Sequence, residues 1–297
     1  MNYLGMITVF LCGPEPEDIF TAVYDAWASR LGHSNVRLEI ESEEQQMGLF
    51  CQYRRVARDL EKAEKVGRSI ARKISWEAYY GVYQAALSFE QDRADAIYRF
   101  LVEGFRVGAD IIHRLQIPAV CRVFELSRKV GNESHLFLGF TRFVQWDNGV
   151  LFARVAPKCN VLPLLAPHFE DRMSGEHWMI YDENRHKAAV HPAGRSWFMV
   201  DTTDGGWEAQ LRRGRDREIE PSECSLADDG ANWEQLWRTF VTSIAIEPRR
   251  NPGLQRNLMP LWYRKHMTEH QTDAIEKATM SNPSEIIVED GKREITV

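Results

Sequence analysis

The sequence predicts an α+β fold, on three observations. Residues 6–40 carry a strand–helix–strand pattern, residues 55–130 carry helical periodicity, and residues 131–201 switch to β-rich runs parted by turn signals. With 44% hydrophobic residues in a chain of 297, a sizeable core can be buried, which excludes the disordered and fibrous classes.

Met6–Cys12 is a short apolar run closed by Gly13-Pro14, and reads as a buried strand rather than a signal peptide, because no basic region precedes it. Glu15, Glu17 and Asp18 then occupy the first turn of a helix, where carboxylates favour the positive end of the helix dipole. Ile19, Val23, Ala26 and Trp27 give that helix its apolar face, and Gly32 marks its end. Val36–Ile40 alternates and is a second strand.

The central stretch predicts a bundle of helices. In Asp59–Lys73, Leu60, Ala63, Val66, Ile70 and Ile74 recur at three-to-four spacing; Glu77–Phe89 is tyrosine-rich; Ile97, Leu101 and Phe105 form one stripe of Arg93–Gly108. Pro118 opens the next helix, with Val120, Val123, Phe124 and Val130 inward.

Near Gly131 the period changes. His135–Trp146, then Asp147-Asn148-Gly149, then VLFARVAP predict a hairpin around Asn-Gly. A short helix is expected over Asn160–Met173, then the strand pair His177–Asp182 and Lys187–His191, then Ser196–Asp201. This gives a mainly antiparallel sheet with one crossover helix, which the first strands are expected to join. The expected organisation is one integrated domain over 1–269: a helical part about 55–130, a sheet part about 131–201, a mobile loop 202–230, and a C-terminal helix with a basic-aromatic segment over 233–269. A partly disordered tail follows over 270–297.

Composition bounds the function. Net charge is −6 and the pI about 5.9, so the chain does not coat nucleic acid by global positive charge. No run of about 18 apolar residues is present, so no membrane span is expected. The five cysteines are scattered and never form CxxC, so no disulfide framework, metal site or cofactor is expected, and a reducing cytoplasm fits.

The C-terminal segment carries the clearest signal. From Arg249 to His266 there are five Arg/Lys and no acid. Arg249, Arg250, Asn251, Gln255, Arg256, Trp262, Tyr263, Arg264 and Lys265 interleave cations with flat rings, which suits a strand whose phosphates need neutralising and whose bases stack. Trp237 and Phe240, at helical spacing before it, are expected to be core.

Weaker candidates are distributed along the chain. His168 and Arg172 share a helix face and suit an anion or a simple helix-end contact. Arg185, with Asp182 in the turn YDENRHK, either stabilises the turn or meets a ligand. Glu133 and His135 offer an acid–base pair or a packing role, and Arg142 beyond them is a candidate for an anion or ligand. The stretch Arg54, Arg55, Arg58, Lys62, Lys65, Arg68, Arg72 and Lys73, interrupted by acids, is either a solvated mixed-charge face or a positive patch.

Taken together, FLCGPEPEDIFTAVYDAW, NESHLFLGFTRF, APKCNVLPLLAPHFEDR, HWMIYDENR and LWRTF…IAIEPRRNPGLQRNLMPLWY resemble a bacterial family of unknown biochemical function assigned to DNA metabolism or DNA repair. The likeness spans residues 9 to about 269. It implies a role on DNA beside a radical-SAM protein encoded next to family members, some of which carry a fused uracil-DNA-glycosylase-type domain. Nothing after about Leu226 looks like that domain, so a stand-alone form is expected. The family pattern falls on His135, Gly139, Arg142, Phe143, His168, Phe169, Arg172, Asp182 and Arg185, and on Arg249, Asn251, Pro252, Gln255, Met259 and Pro260. The chain departs after Pro260, where Leu261-Trp262-Tyr263 precedes Arg264-Lys265. The leading expectation is an accessory DNA-binding protein acting with a radical-SAM partner, whose cluster would sit in that partner because CxxxCxxC is absent here. A hydrolase using His168, Asp182 and His135, and a protein-binding adaptor that never touches DNA, are the alternatives.

Overall fold

A computed structural model describes residues 7–42, 48–146, 149–202, 236–237, 239–241, 243–245 and 251–270. The fold is α+β. Beyond Thr202 the expected loop 202–230 lies outside the described residues, as do Arg249, Arg250, the tail after His270, and Asn148 of the hairpin turn. The chain divides into two compact units: Met1–Leu136 with Pro157–His168, and Phe137–Ala156 with Phe169–Val297.

The first unit opens with strand β1 (Ile7–Cys12) and helix α1 (Pro16–Ala28). Glu15 caps α1, and its backbone N–H donates to Asp18 in return, a capping box that satisfies two otherwise orphaned donors. Gly13 is required there, because a Cβ would overlap the Asp18 carboxylate, which the Arg58 guanidinium also grips at 2.7 Å through two nitrogens. Strand β2 (Val36–Ile40) pairs parallel to β1. A strand absent from the sequence expectation, β3 (Cys51–Arg55), pairs parallel to the other edge of β1, giving the order β2-β1-β3. The N-terminal strands therefore form their own parallel sheet and do not join the later one.

Four helices follow: α2 (Leu60–Lys73), α3 (Trp76–Ala86), α4 (Arg93–Val107) and α5 (Pro118–Phe140). Asp59 and Ser75 cap α2 and α3 by accepting from the backbone N–H three residues on. Ile70, Val82, Ile97 and Leu101 are fully buried in the core between these helices and the parallel sheet.

Helix α5 corrects one expectation. His135–Phe140 is helical, and the strand expected from His135 shrinks to β4 (Phe143–Gln145). Val123, Leu126, Val130, Ser134 and Phe137 are all buried, at spacings of three and four, so helical burial prevails over the β-propensity of HLFLGF.

The second unit holds a five-stranded sheet. The hairpin exists: β4 pairs antiparallel with β5 (Leu151–Val155), and Gly149 takes a left-handed φ of 81° in the turn. Helix α6 (Leu162–Arg172) is the crossover to β6 (Trp178–Asp182), which runs parallel to β5. Strands β7 (Lys187–His191) and β8 (Phe198–Asp201) add antiparallel neighbours, in the order β4-β5-β6-β7-β8. Every residue of β6 is buried, as a central strand requires. Residues around Phe240 are helical where described, followed by helix α7 (Pro252–Leu258) and a 3-10 helix at Leu261–His266. Among the described residues no helix is long and apolar enough to cross a membrane, and no group of His, Cys, Asp and Glu is placed to hold a metal.

Candidate nucleic-acid interface

In the second unit, the C-terminal segment meets the end of α5 and the β6–β7 turn. The turn is built on Asp182. Its Oδ1 accepts from the Asn184 N–H at 2.9 Å and the Arg185 N–H at 3.3 Å, an arrangement that closes the chain reversal. Its Oδ2 accepts from Arg185 at 3.0 Å. Asp182 is fully buried, and burial pushes its carboxyl above the ordinary aspartate value despite Arg185 beside it. Asp182 and Arg185 thus hold each other, with Arg185 committed to the turn.

Glu183, next in the turn, binds the C-terminal segment. It pairs with the Lys265 ammonium, and His266 Nε2 lies 3.2 Å from its other oxygen. Burial opposes ionisation of Glu183, but these two partners hold its carboxyl below the ordinary glutamate range. Burial lowers the His266 imidazole below its ordinary value, leaving it neutral near pH 7. Arg142, just after α5, makes a two-nitrogen pair with Glu269 at 2.7 and 3.3 Å and lies 5.8 Å from the Trp237 ring. The members of this pair are 127 positions apart, so no local pattern along the chain signals it.

These contacts sort the expected nucleic-acid residues. Tyr263 is buried, its ring 5.0 Å from Phe137 and 5.3 Å from Phe140, so it belongs to the core and is not free to stack on a base. Trp262 stacks on Tyr263 with ring centroids 3.7 Å apart and stays 37% exposed. Lys265 is neutralised by Glu183, and Arg264 is half-buried, with Nε shielded from solvent and lacking a hydrogen-bond partner. Asn251 caps α7 by accepting from the Leu254 N–H at 3.0 Å. Gln255 and Arg256 are exposed on α7, which buries no residue, and Arg256 has no ion-pair partner among the described residues. The expectation that Trp237 and Phe240 are core fails: they are 41% and 49% exposed.

The other candidates lie elsewhere. His135 and His168 are exposed on α5 and α6, in the first unit, and Arg172 is exposed at the end of α6. Glu133 accepts from the backbone N–H groups of Lys158 and Cys159 at 2.7 and 2.8 Å, which makes it a structural anchor. The basic stretch over 54–73 is largely matched by acids: Arg55 with Glu41, Arg58 with Asp18, Lys62 with Asp25, Lys65 with Glu61 and Arg68 with Glu64. That is a solvated mixed-charge face rather than a positive patch.

Among curated proteins, none matches the chain. The model of a domain of unknown function, DUF4130, matches residues 91–269, a span that includes Arg142, the β6–β7 turn and the whole C-terminal segment that docks on them. Because that match covers more than half of the chain, the protein belongs to the DUF4130 family.

Proposed function

We propose that the chain is an accessory DNA-binding protein that acts with a radical-SAM partner in DNA repair or modification. The observation carrying this reading is the exposed run 251–258, which presents Gln255 and Arg256, the latter unpaired among the described residues, in a stretch with no acid from Arg249 to His266. Arg256 supplies a cation for phosphate, Gln255 a donor and acceptor, and Trp262 an exposed ring edge. The pairing of Lys265 with Glu183 reduces the number of free cations, so affinity rests on Arg256 with Arg249 and Arg250. The radical-SAM partner follows from the family resemblance alone.

Anisotropy of labelled single-stranded and duplex DNA across a salt series tests this reading. Wild type should show a negative slope of log affinity against log salt. Arg256→Ala should reduce that slope by roughly 0.7–0.9, the share of one phosphate contact. Trp262→Ala should weaken single strands more than duplex. Equal affinity across variants with no salt slope removes the DNA reading, and failure to co-purify with the neighbouring radical-SAM protein removes the partnership.

A protein-binding adaptor is the second reading. It is favoured by Leu254, Leu258 and Leu261, which are 54%, 66% and 52% exposed on the same segment. A hydrolase built on His135, His168 and Asp182 gains less support, since the Asp182 oxygens are buried and already occupied by Arg185 and turn amides.

A further inference from the structure

The first unit carries a groove of about 310 Å³ between α1, α2 and α3. Its floor is Ala63, Gly67 and Ala71, small residues four apart on α2. Gly67 is unfavourable in a helix interior relative to alanine, but a Cβ there would stand 3.1 Å from the Tyr79 ring, so the close approach of α3 is what glycine permits. Trp76, Tyr79 and Tyr83 recur at helical spacing along α3 and form one wall, with ring centroids 5.1 Å and 6.4 Å apart; Phe20 of α1 closes the other side, 6.5 Å from Tyr79. Trp76 is 69% exposed, an uncommon position for so large an apolar ring.

The charged residues at the rim are Glu17, Glu64 and Arg68, two carboxylates against one guanidinium. Glu17 lines the groove and has no ion-pair partner among the described residues. Glu64 pairs with Arg68 at 3.5 Å, and both side chains are more than half exposed, so that pair is weak. Burial pushes the Tyr83 phenol up to about 12, and the carboxylates of Glu17 and Glu15 push in the same direction. Aromatic faces beside an unpaired carboxylate attract a cation through the ring quadrupole and the full charge together.

We infer that this groove binds the cationic side chain of an arginine or lysine carried on a segment of a partner protein. The rings cover the alkyl stem and the flat head, Glu17 takes the charge, and exposed Leu60 at the rim meets the apolar residues beside the cation. This site is independent of the DNA reading and stands or falls separately from it.

The test titrates the full chain with acetyl-Leu-Ala-Arg-Ala-Leu-amide and with the same peptide bearing citrulline, the neutral isostere of arginine, by calorimetry or NMR. The arginine peptide should bind, and citrulline should weaken it about fivefold or more. Trp76→Ala and Glu17→Gln should each cost about fivefold, with circular dichroism melts confirming that each variant folds. No binding of the arginine peptide overturns the inference. Equal binding of the citrulline peptide overturns the cationic specificity, and unchanged affinity in both variants overturns the location.

Discussion

Glu133 provides the sharpest test of how the first unit is held together. The residue is 6% exposed, and its carboxylate accepts two backbone N–H groups, from Lys158 at 2.7 Å and Cys159 at 2.8 Å. It thereby ties α5 to a segment 25 residues further along the chain. Hydrogen bonds to a charged acceptor contribute about 1.5–3 kcal/mol each. Glu133→Gln keeps one acceptor but turns an NH2 toward the second amide, so it should cost about 2–3 kcal/mol. Glu133→Ala leaves both amides without an acceptor and adds a void, so it should cost about 3–5 kcal/mol. Urea denaturation of the full chain measures both, with the m-value checked so that a midpoint shift reports stability. If Glu133→Gln lies within about 0.5 kcal/mol of wild type, the carboxylate is not the anchor described here. His135→Ala, on the exposed face of the same helix, is the control and should be near neutral.

Two further expectations concern the second unit. Removing Arg185 leaves the wholly buried Asp182 carboxylate without its cation, so Arg185→Ala should destabilise by about 3 kcal/mol, read as a denaturant midpoint shift; a shift below about 1 kcal/mol would mean that the turn amides alone suffice. Burial opposes ionisation of Glu269, but Arg142 holds its carboxyl below the ordinary 4.5, so the stabilisation is complete above that value and lost as pH falls through the lower folded value. The stability difference between wild type and Glu269→Gln should therefore be constant above about pH 5.5 and shrink below about pH 4.5 in melts run across that range, whereas a difference that persists unchanged down to pH 2 would contradict the pairing.

Local patterns were legible in the sequence where one residue type has one conformational use. Gly13-Pro14 ended β1, the acidic turn at Glu15–Asp18 opened α1, and the β6–β7 turn was readable from Asp182-Glu183-Asn184-Arg185. Strand β3 was not readable: CQYRR is short and polar, lies at a sheet edge and buries no residue fully, so it carries no apolar run to mark it. The helical end of α5 was misread because HLFLGF is an apolar run that either secondary structure can bury.

The candidate interface divides in the same way. Charge and composition alone located the acid-free, basic-aromatic segment, because the excess of cations over 249–266 is a property of order along the chain. Which of those groups remain available was a tertiary matter. Tyr263 was taken into the core by Phe137 and Phe140, and Lys265 was neutralised by Glu183, while Arg256 and Trp262 were left facing solvent. The sequence determined which chemistry the segment carries, since residue identity fixes charge and ring. Only the tertiary structure decided which groups are spent on folding, since the partners that bury or neutralise them come from 82 to 127 positions away.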